Sequence, residues 1–237
     1  MSTLLLRLAA PLQSWGANAK YESRRGTERT PTKSGVIGLV AAALGRRRDE
    51  SIEDLQALRF GVRVDREGSL LRDYHTVKSE KSAYVTHRYY LSDAVFLAGL
   101  EGDEAFLAEI ERNLRHPVFP LFLGRRSCPP EGRLSLGIRM GKTLSEALQE
   151  EPWLVGEWLR RKEAADVWLR IVTDAEAKDR NAYYQRDVPL TFNQAHRQYG
   201  FRRVLEQEPC AVSNSTGQPP VAERPTEHDP MTELREE

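Results

Sequence analysis

The sequence predicts an α+β fold in which helices cover one face of an antiparallel sheet. Three observations lead there. Apolar stretches with strand character alternate with segments of helical period. One long Tyr-, Val- and Thr-rich stretch reads as the two arms of a hairpin. Of the 237 residues, 40% are apolar, enough to bury a real core in one large domain or two small ones.

Residues 3–9 are almost continuously apolar around Arg7, which suits a central strand. The polar stretch 13–33, punctuated by Gly16, Gly26 and Pro31, reads as a long loop. Thr32 or Ser34 then caps a helix that runs to about Leu44 and stops at Gly45. Its Val36, Ile37, Leu39, Val40 and Leu44 leave no polar face, so it should be buried on most sides. A short helix is expected over 51–58, and a strand over 60–65 turns at Glu67-Gly68. Segments 70–78 and 84–97 form the hairpin. Both arms mix basic and aromatic residues without inside/outside alternation, so the hairpin is expected to project from the body like a thumb. Asp103 caps a helix whose Phe106, Leu107, Ile110 and Leu114 make one apolar stripe, and Pro117 ends it. A Gly-Arg-Arg-Ser-Cys-Pro-Pro turn, a strand over 134–139, helices over 143–150 and 153–162, and strands over 167–172 and 188–192 complete the body. The order strand, helix, strand, hairpin, helix, strand is that of a ferredoxin-like fold, which hosts many functions. The body is placed at 1–205 with the thumb at about 70–97. In the tail, 206–237, the apolar pattern fades among prolines and acids, and it is read as disordered when free.

Charge is polarised along a chain that is neutral in total, with 35 basic and 35 acidic residues. Residues 1–48 hold nine basic side chains against two acidic ones, a local charge of +7. Residues 204–237 hold eight acids against two bases, a local charge of −6. A basic front suits a polyanion-binding surface; the acidic end is expected to be solvated or to meet a basic partner surface, and not to add affinity for RNA. Two cysteines exclude a disulfide framework, and with no signal peptide and no long apolar span the chain reads as soluble and cytoplasmic.

Catalytic and metal signatures are weak. Gly137 to Thr143 imitates a phosphate loop, but three residues rather than four separate its glycines, so Thr143 is read as a helix cap. The five histidines have no metal-ligand spacing, and no metal or cofactor is expected. Tyr74, His75 and Lys78 could serve a metal-free ribonuclease as general base and cationic stabiliser; a stacking and charge-pairing role is the simpler reading of the same residues.

What recurs is Arg or Lys interleaved with Gly and aromatics. It appears at Gln13-Ser14-Trp15-Gly16, from Arg29 through Thr32, Lys33, Ser34 and Gly35, from Arg72 through Tyr74 to His75, around Arg88, and at Gly124-Arg125-Arg126-Ser127. Glycine lets a phosphate reach backbone amides, Arg offers a planar fork, and aromatic rings offer stacking faces. Thr32 to Gly35 also open a helix, whose free N–H groups suit an anion.

Those same strings carry a resemblance. The run 4–16 ending in Ala-Pro-Leu-Gln-Ser-Trp-Gly resembles the start of the CRISPR-associated CasD family, the subunit that caps the guide RNA in type I-E Cascade. So do Pro31 to Gly38, Leu71 to Val77, Tyr90 to Ala94 and Leu123 to Pro129, in the family's order, with a looser match to about 205. The resemblance implies a non-catalytic RNA-binding subunit for antiviral defence, with a modified RRM-like body. It would grip the 5′ handle of the CRISPR RNA, cap the filament of CasC backbone subunits, touch the large CasA subunit and other Cascade subunits, and meet target DNA through the complex, with no membrane partner. The alternative it implies is a metal-independent endoribonuclease that processes repeat RNA, as in the related type I-C branch, with Tyr74, His75 and Lys78 as the catalytic set. The 78–84 tip is short, and the acidic tail has no counterpart in the family pattern.

Overall fold

The computed structural model describes residues 1–16, 24–78 and 83–218. In chain order the elements are β1 (Ser2–Ala9), β2 (Leu12–Gln13), β3 (Arg24–Arg25), α1 (Lys33–Ala43), α2 (Glu53–Gln56), β4 (Arg59–Arg66), β5 (Ser69–Lys78), β6 (Ala83–Ser92) and β7 (Val95–Gly102). They continue with α3 (Glu104–Arg115), β8 (Ser135–Arg139), α4 (Leu144–Glu150), α5 (Glu157–Arg160), β9 (Asp166–Asp174), β10 (Tyr183–Thr191), β11 (Gln198–Glu206) and β12 (Cys210–Ser213). The main sheet runs β10-β11-β9-β4-β7-β1-β8, every neighbouring pair antiparallel, and β12 pairs with the first half of β9.

β1 lies inside this sheet, and the pleat sends its side chains alternately to two covered faces. Leu4, Leu6 and Leu8 join Val36, Ile37 and Val40 of α1 and Leu107 and Ile110 of α3 in the larger core. Leu5 points the other way, into a second core with Leu97, Leu144, Leu148 and Ile171. That is why the strand reads as continuously apolar, and it corrects the expectation of helices on one face only. α1 and α3 cover one side; α4 covers the other.

Arg63 of β4 locks α4 in place and is fully buried. Its Nε and Nη2 donate to the two carboxylate oxygens of Asp65 at 2.8 and 2.9 Å, while its remaining N–H groups cap the carbonyls of Leu148, Glu151 and Pro152 at the end of α4. All five guanidinium donors are thereby used, the condition under which a buried charge is tolerable.

The caps read from sequence are in place. Thr32 accepts from the Gly35 N–H at α1, Asp103 accepts from Phe106 at α3, and Thr143 forms a capping box with Glu146 at α4. Gly137 to Thr143 is accordingly a strand end and a cap. Several boundaries move. The hairpin's return arm ends at Ser92, because Asp93 takes φ 56° and its N–H is held by the Pro11 carbonyl, and β7 belongs to the main sheet. The thumb therefore spans 69–92 rather than 70–97. The helix expected over 153–162 shrinks to α5, and β10 starts earlier than the expected 188. Residues beyond 205 include β12, whose Val212 packs on Trp153, Val155 and Leu169, so the ordered body extends past the expected start of the tail. Residues 219–237 lie outside the described part. No helix among the described residues is long and apolar enough to cross a membrane.

Candidate nucleic-acid interface

β6 is the spine of the thumb. One of its edges pairs with β5 along ten residues; β2 and β3 pair with it at Leu91–Ser92 and His87–Arg88. Residues opposite each other share a face. Arg72, Tyr74, Thr76 and Lys78 therefore share one face with His87 and Tyr89, while Asp73, His75 and Val77 share the other with Arg88 and Tyr90. Two cation–aromatic stacks hold the base from both sides: Arg24 lies 4.9 Å from the Tyr89 ring centre and Arg125 lies 4.5 Å from that of Tyr90. Farther out, Tyr74 is 67% exposed and Tyr84 54%.

The proposed ribonuclease set does not converge. His75 points away from the face that carries Tyr74 and Lys78, and its Nε2 lies 2.5 Å from Asp73 Oδ2. No group of three or more His, Cys, Asp or Glu residues among the described residues is arranged to hold a metal ion.

Beside the thumb runs a groove of about 910 Å³. It brings together three of the sequence clusters: Ser14, Trp15 and Gly16; Thr32, Ser34 and Gly35; Gly124, Arg125 and Arg126. Among the described residues its lining contains seven arginines (Arg25, Arg46, Arg47, Arg48, Arg125, Arg126 and Arg197) and no acidic residue. Arg46 pairs with Asp54 outside it. Arg125 donates to the carbonyls of Arg25 and Gly26 at 3.0 and 3.3 Å, and its Nη1 is buried with no partner among the described residues. Arg47, Arg48, Arg126 and Arg197 are exposed. Such a trough concentrates positive potential and favours a polyanion.

The sequence strings build the groove more than they decorate it. Gln13 is fully buried; its amide nitrogen donates to the Leu8 and Ala94 carbonyls and its oxygen accepts from the Trp15 indole at 3.1 Å. Trp15, also buried, backs the groove, and a Cβ on Gly35 would come within 2.8 Å of its ring. Gly124 has φ +86°, and a Cβ there would stand 1.6 Å from the Ser14 carbonyl oxygen, so only glycine lets this loop close on the Ser14 backbone. Gln13 and Trp15, expected as RNA contacts, thus support the wall from behind.

Lys33 is the clearest correction. Expected on a phosphate, it is buried, with its Nζ 3.2 Å from Asp174 Oδ2. The α1 amino terminus, expected as an anion site, is already occupied: the Lys33 N–H donates to Asp187 Oδ2 at 2.9 Å, and Thr32 Oγ1 takes the Gly35 N–H. Arg202 completes this buried cluster, donating to both oxygens of Asp187 and, at 2.7 Å, to Asp174. Burial opposes the Arg202 charge, but bonds to the two carboxylates more than offset it and its pKa is raised. Arg29, Arg72, Arg126 and Ser127 are exposed, as an RNA-contacting role requires, and Arg88 is half-buried. Cys128 is buried, and burial pushes its thiol pKa up, as for a packed thiol.

Arg197, Phe192 and Tyr199 were not singled out from sequence, yet they line the groove, and Arg47 and Arg48 were counted only within the basic front of residues 1–48. The Arg46-Arg47-Arg48 triplet directly after a helix stop was the available signal. Arg197 and Tyr199 arrive from the β10–β11 hairpin, about 150 residues on, and carried none.

Fold and groove define an α+β protein that presents an arginine trough beside an extended, aromatic hairpin. The chain belongs to the Cas5 family: residues 3–205 match the family model described as CRISPR-associated protein (Cas_Cas5). It is 39% identical over 171 residues to the CRISPR system Cascade subunit CasD of Escherichia coli (strain K12), covering 62% of this chain and 75% of that protein. Among solved structures it resembles a chain of a CRISPR RNA-guided surveillance complex, with a TM-score of 0.75 and 33% identity, covering 92% of this chain and 94% of that one. A second, described as a Cas protein, gives a TM-score of 0.68 at 39% identity over 91% of this chain and 97% of that one.

Proposed function

We propose that this protein is the RNA-binding subunit of a type I-E Cascade that grips the 5′ handle of the CRISPR RNA without cutting it. In this reading it caps the CasC filament and contacts CasA and, through the complex, target DNA, in the cytoplasm. The observation that carries the reading is the groove at the root of the thumb, lined among the described residues by seven arginines and no acid. A folded single strand needs closely spaced cations for its phosphates and rings for unstacked bases, and groove and thumb offer both within one surface. The strand order β4-β7-β1-β8, with α1 and α3 packed on one side, supports a ferredoxin-like, RRM-like body. That body differs from an open RRM sheet because α4 covers its second face, so RNA is assigned to the rim rather than the sheet face.

The test is a titration of handle RNA at several salt concentrations with the Arg47→Ala/Arg48→Ala/Arg126→Ala variant. Affinity should fall for every RNA sequence, and the salt slope should flatten by about 0.7 per lost phosphate contact. An unchanged slope would remove the groove from the interface. A companion incubation with repeat RNA in EDTA should yield no product; a 2′,3′-cyclic phosphate end abolished by His75→Ala would replace the clamp with the ribonuclease.

A further inference from the structure

We infer that the acidic carboxy-terminal segment, residues 219–237, is an internal competitor that occupies the arginine groove until a matching RNA displaces it. Among the described residues the groove offers seven arginines and no acid. The segment offers six acids (Glu223, Glu227, Asp229, Glu233, Glu236 and Glu237) against Arg224 and Arg235. The signs are complementary, and within this chain that segment is the largest block of acid outside the described fold.

Reach is sufficient. The described chain ends at Gln218, anchored by its N–H to the Glu163 carbonyl beside the start of β9. Nineteen residues extend up to ~60 Å at about 3.3 Å each, whereas a chain of this length folds to a radius of gyration of about 18 Å. Tethering gives the segment an effective concentration on the order of millimolar at the groove. Contacts that are individually weak then suffice to hold it there. Its carboxylates are single charges that lack stacking rings, so a handle RNA that uses both charge and stacking wins the exchange, whereas an RNA held by phosphates alone does not. The segment would thereby raise selectivity at a modest cost in total affinity. The role as an RNA filter rests on the RNA-binding reading above; seating of the segment in the groove does not.

Two measurements separate these. In the first, a fluorescent peptide of residues 219–237 is titrated with protein ending at Gln218. Saturable binding that weakens with salt and is lost in Arg47→Ser/Arg48→Ser/Arg197→Ser is expected. No binding, or binding indifferent to those arginines, overturns the inference without reference to RNA. In the second, the full chain carries Glu223→Gln, Glu227→Gln, Asp229→Asn, Glu233→Gln, Glu236→Gln and Glu237→Gln, keeping the segment's length. Affinity for an oligouridine strand should rise about 3- to 10-fold at low salt, with a smaller gain for the handle RNA. Equal affinity of wild type and variant for oligouridine would overturn the filter. Peptide binding in a protein that binds no RNA would leave the seating intact and defeat the proposed function instead.

Discussion

Two sets of cations lie near α1, and they have opposite fates. Lys33 and Arg202 are buried and paired with Asp174 and Asp187, joining α1, β9, β10 and β11. Arg47, Arg48, Arg126 and Arg197 line the groove with no ion pair among the described residues. The first set holds the fold; the second is left for a ligand. Residue type does not separate them. Supply of carboxylates does, and both carboxylates come from strands more than 140 positions beyond Lys33.

The largest expected effect breaks the buried set. Asp187 is fully buried and accepts three hydrogen bonds, two from Arg202 and one from the first amide of α1. Asp187→Ala leaves Arg202 short of a partner in a dry site and should cost about 3–5 kcal/mol, read from urea unfolding. A loss below about 1 kcal/mol would mean that water replaces the carboxylate there.

The next pair sharpens the contrast. Lys33→Ala should lower stability by about 1–3 kcal/mol, because Asp174 keeps only Arg202 and the Phe60 N–H, and should leave the salt slope of RNA binding unchanged. Arg126→Ala should do the reverse: stability within about 0.5 kcal/mol and a flatter slope. Equal effects of both substitutions on unfolding and on binding would dissolve the distinction.

Arg88 sits between the two sets. It is half-buried on the thumb face shared with Asp73 and His75, and its Nε is buried with no partner among the described residues. A guanidinium there can stack on a base and donate to a phosphate together, which an ammonium cannot. Arg88→Ala is expected to cost roughly 1–3 kcal/mol of handle binding without lowering the melting temperature, and Arg88→Lys to recover only part. Lysine binding like wild type would reduce the role to charge.

The same contrast explains what was legible in the sequence. Periodicity exposes burial, so β1, α1 and α3 and the three caps Thr32, Asp103 and Thr143 were readable locally. Strand ends set by distant backbone contacts were not: the break at Asp93 depends on the Pro11 carbonyl. The motif strings around Trp15, Gly35 and Gly124 come together at the groove. Their individual roles inverted, because Lys33 and Gln13 found internal partners that no local pattern announces. Arg197 illustrates the converse: an isolated surface arginine in sequence, it becomes a site residue only through the β10–β11 hairpin.

Glu28 gives the smallest effect, read as a slope. It bridges to Trp15 through the backbone and lies near Asp187. Burial, and then the Asp187 charge, raise its carboxyl above the ordinary glutamate value of 4.5. A carboxyl that holds its proton more tightly in the folded state contributes stability that is present below pH 4.5 and lost as pH rises through the raised value. Wild-type stability should therefore carry a downward component with pH just above 4.5, superimposed on the other titrations. Glu28→Gln, neutral throughout, should remove that component and be the more stable of the two at pH 7, measured as the difference between urea midpoints from pH 4.5 to pH 7. A difference that stays flat across that range would show that neither burial nor the Asp187 charge perturbs this carboxyl in the folded state.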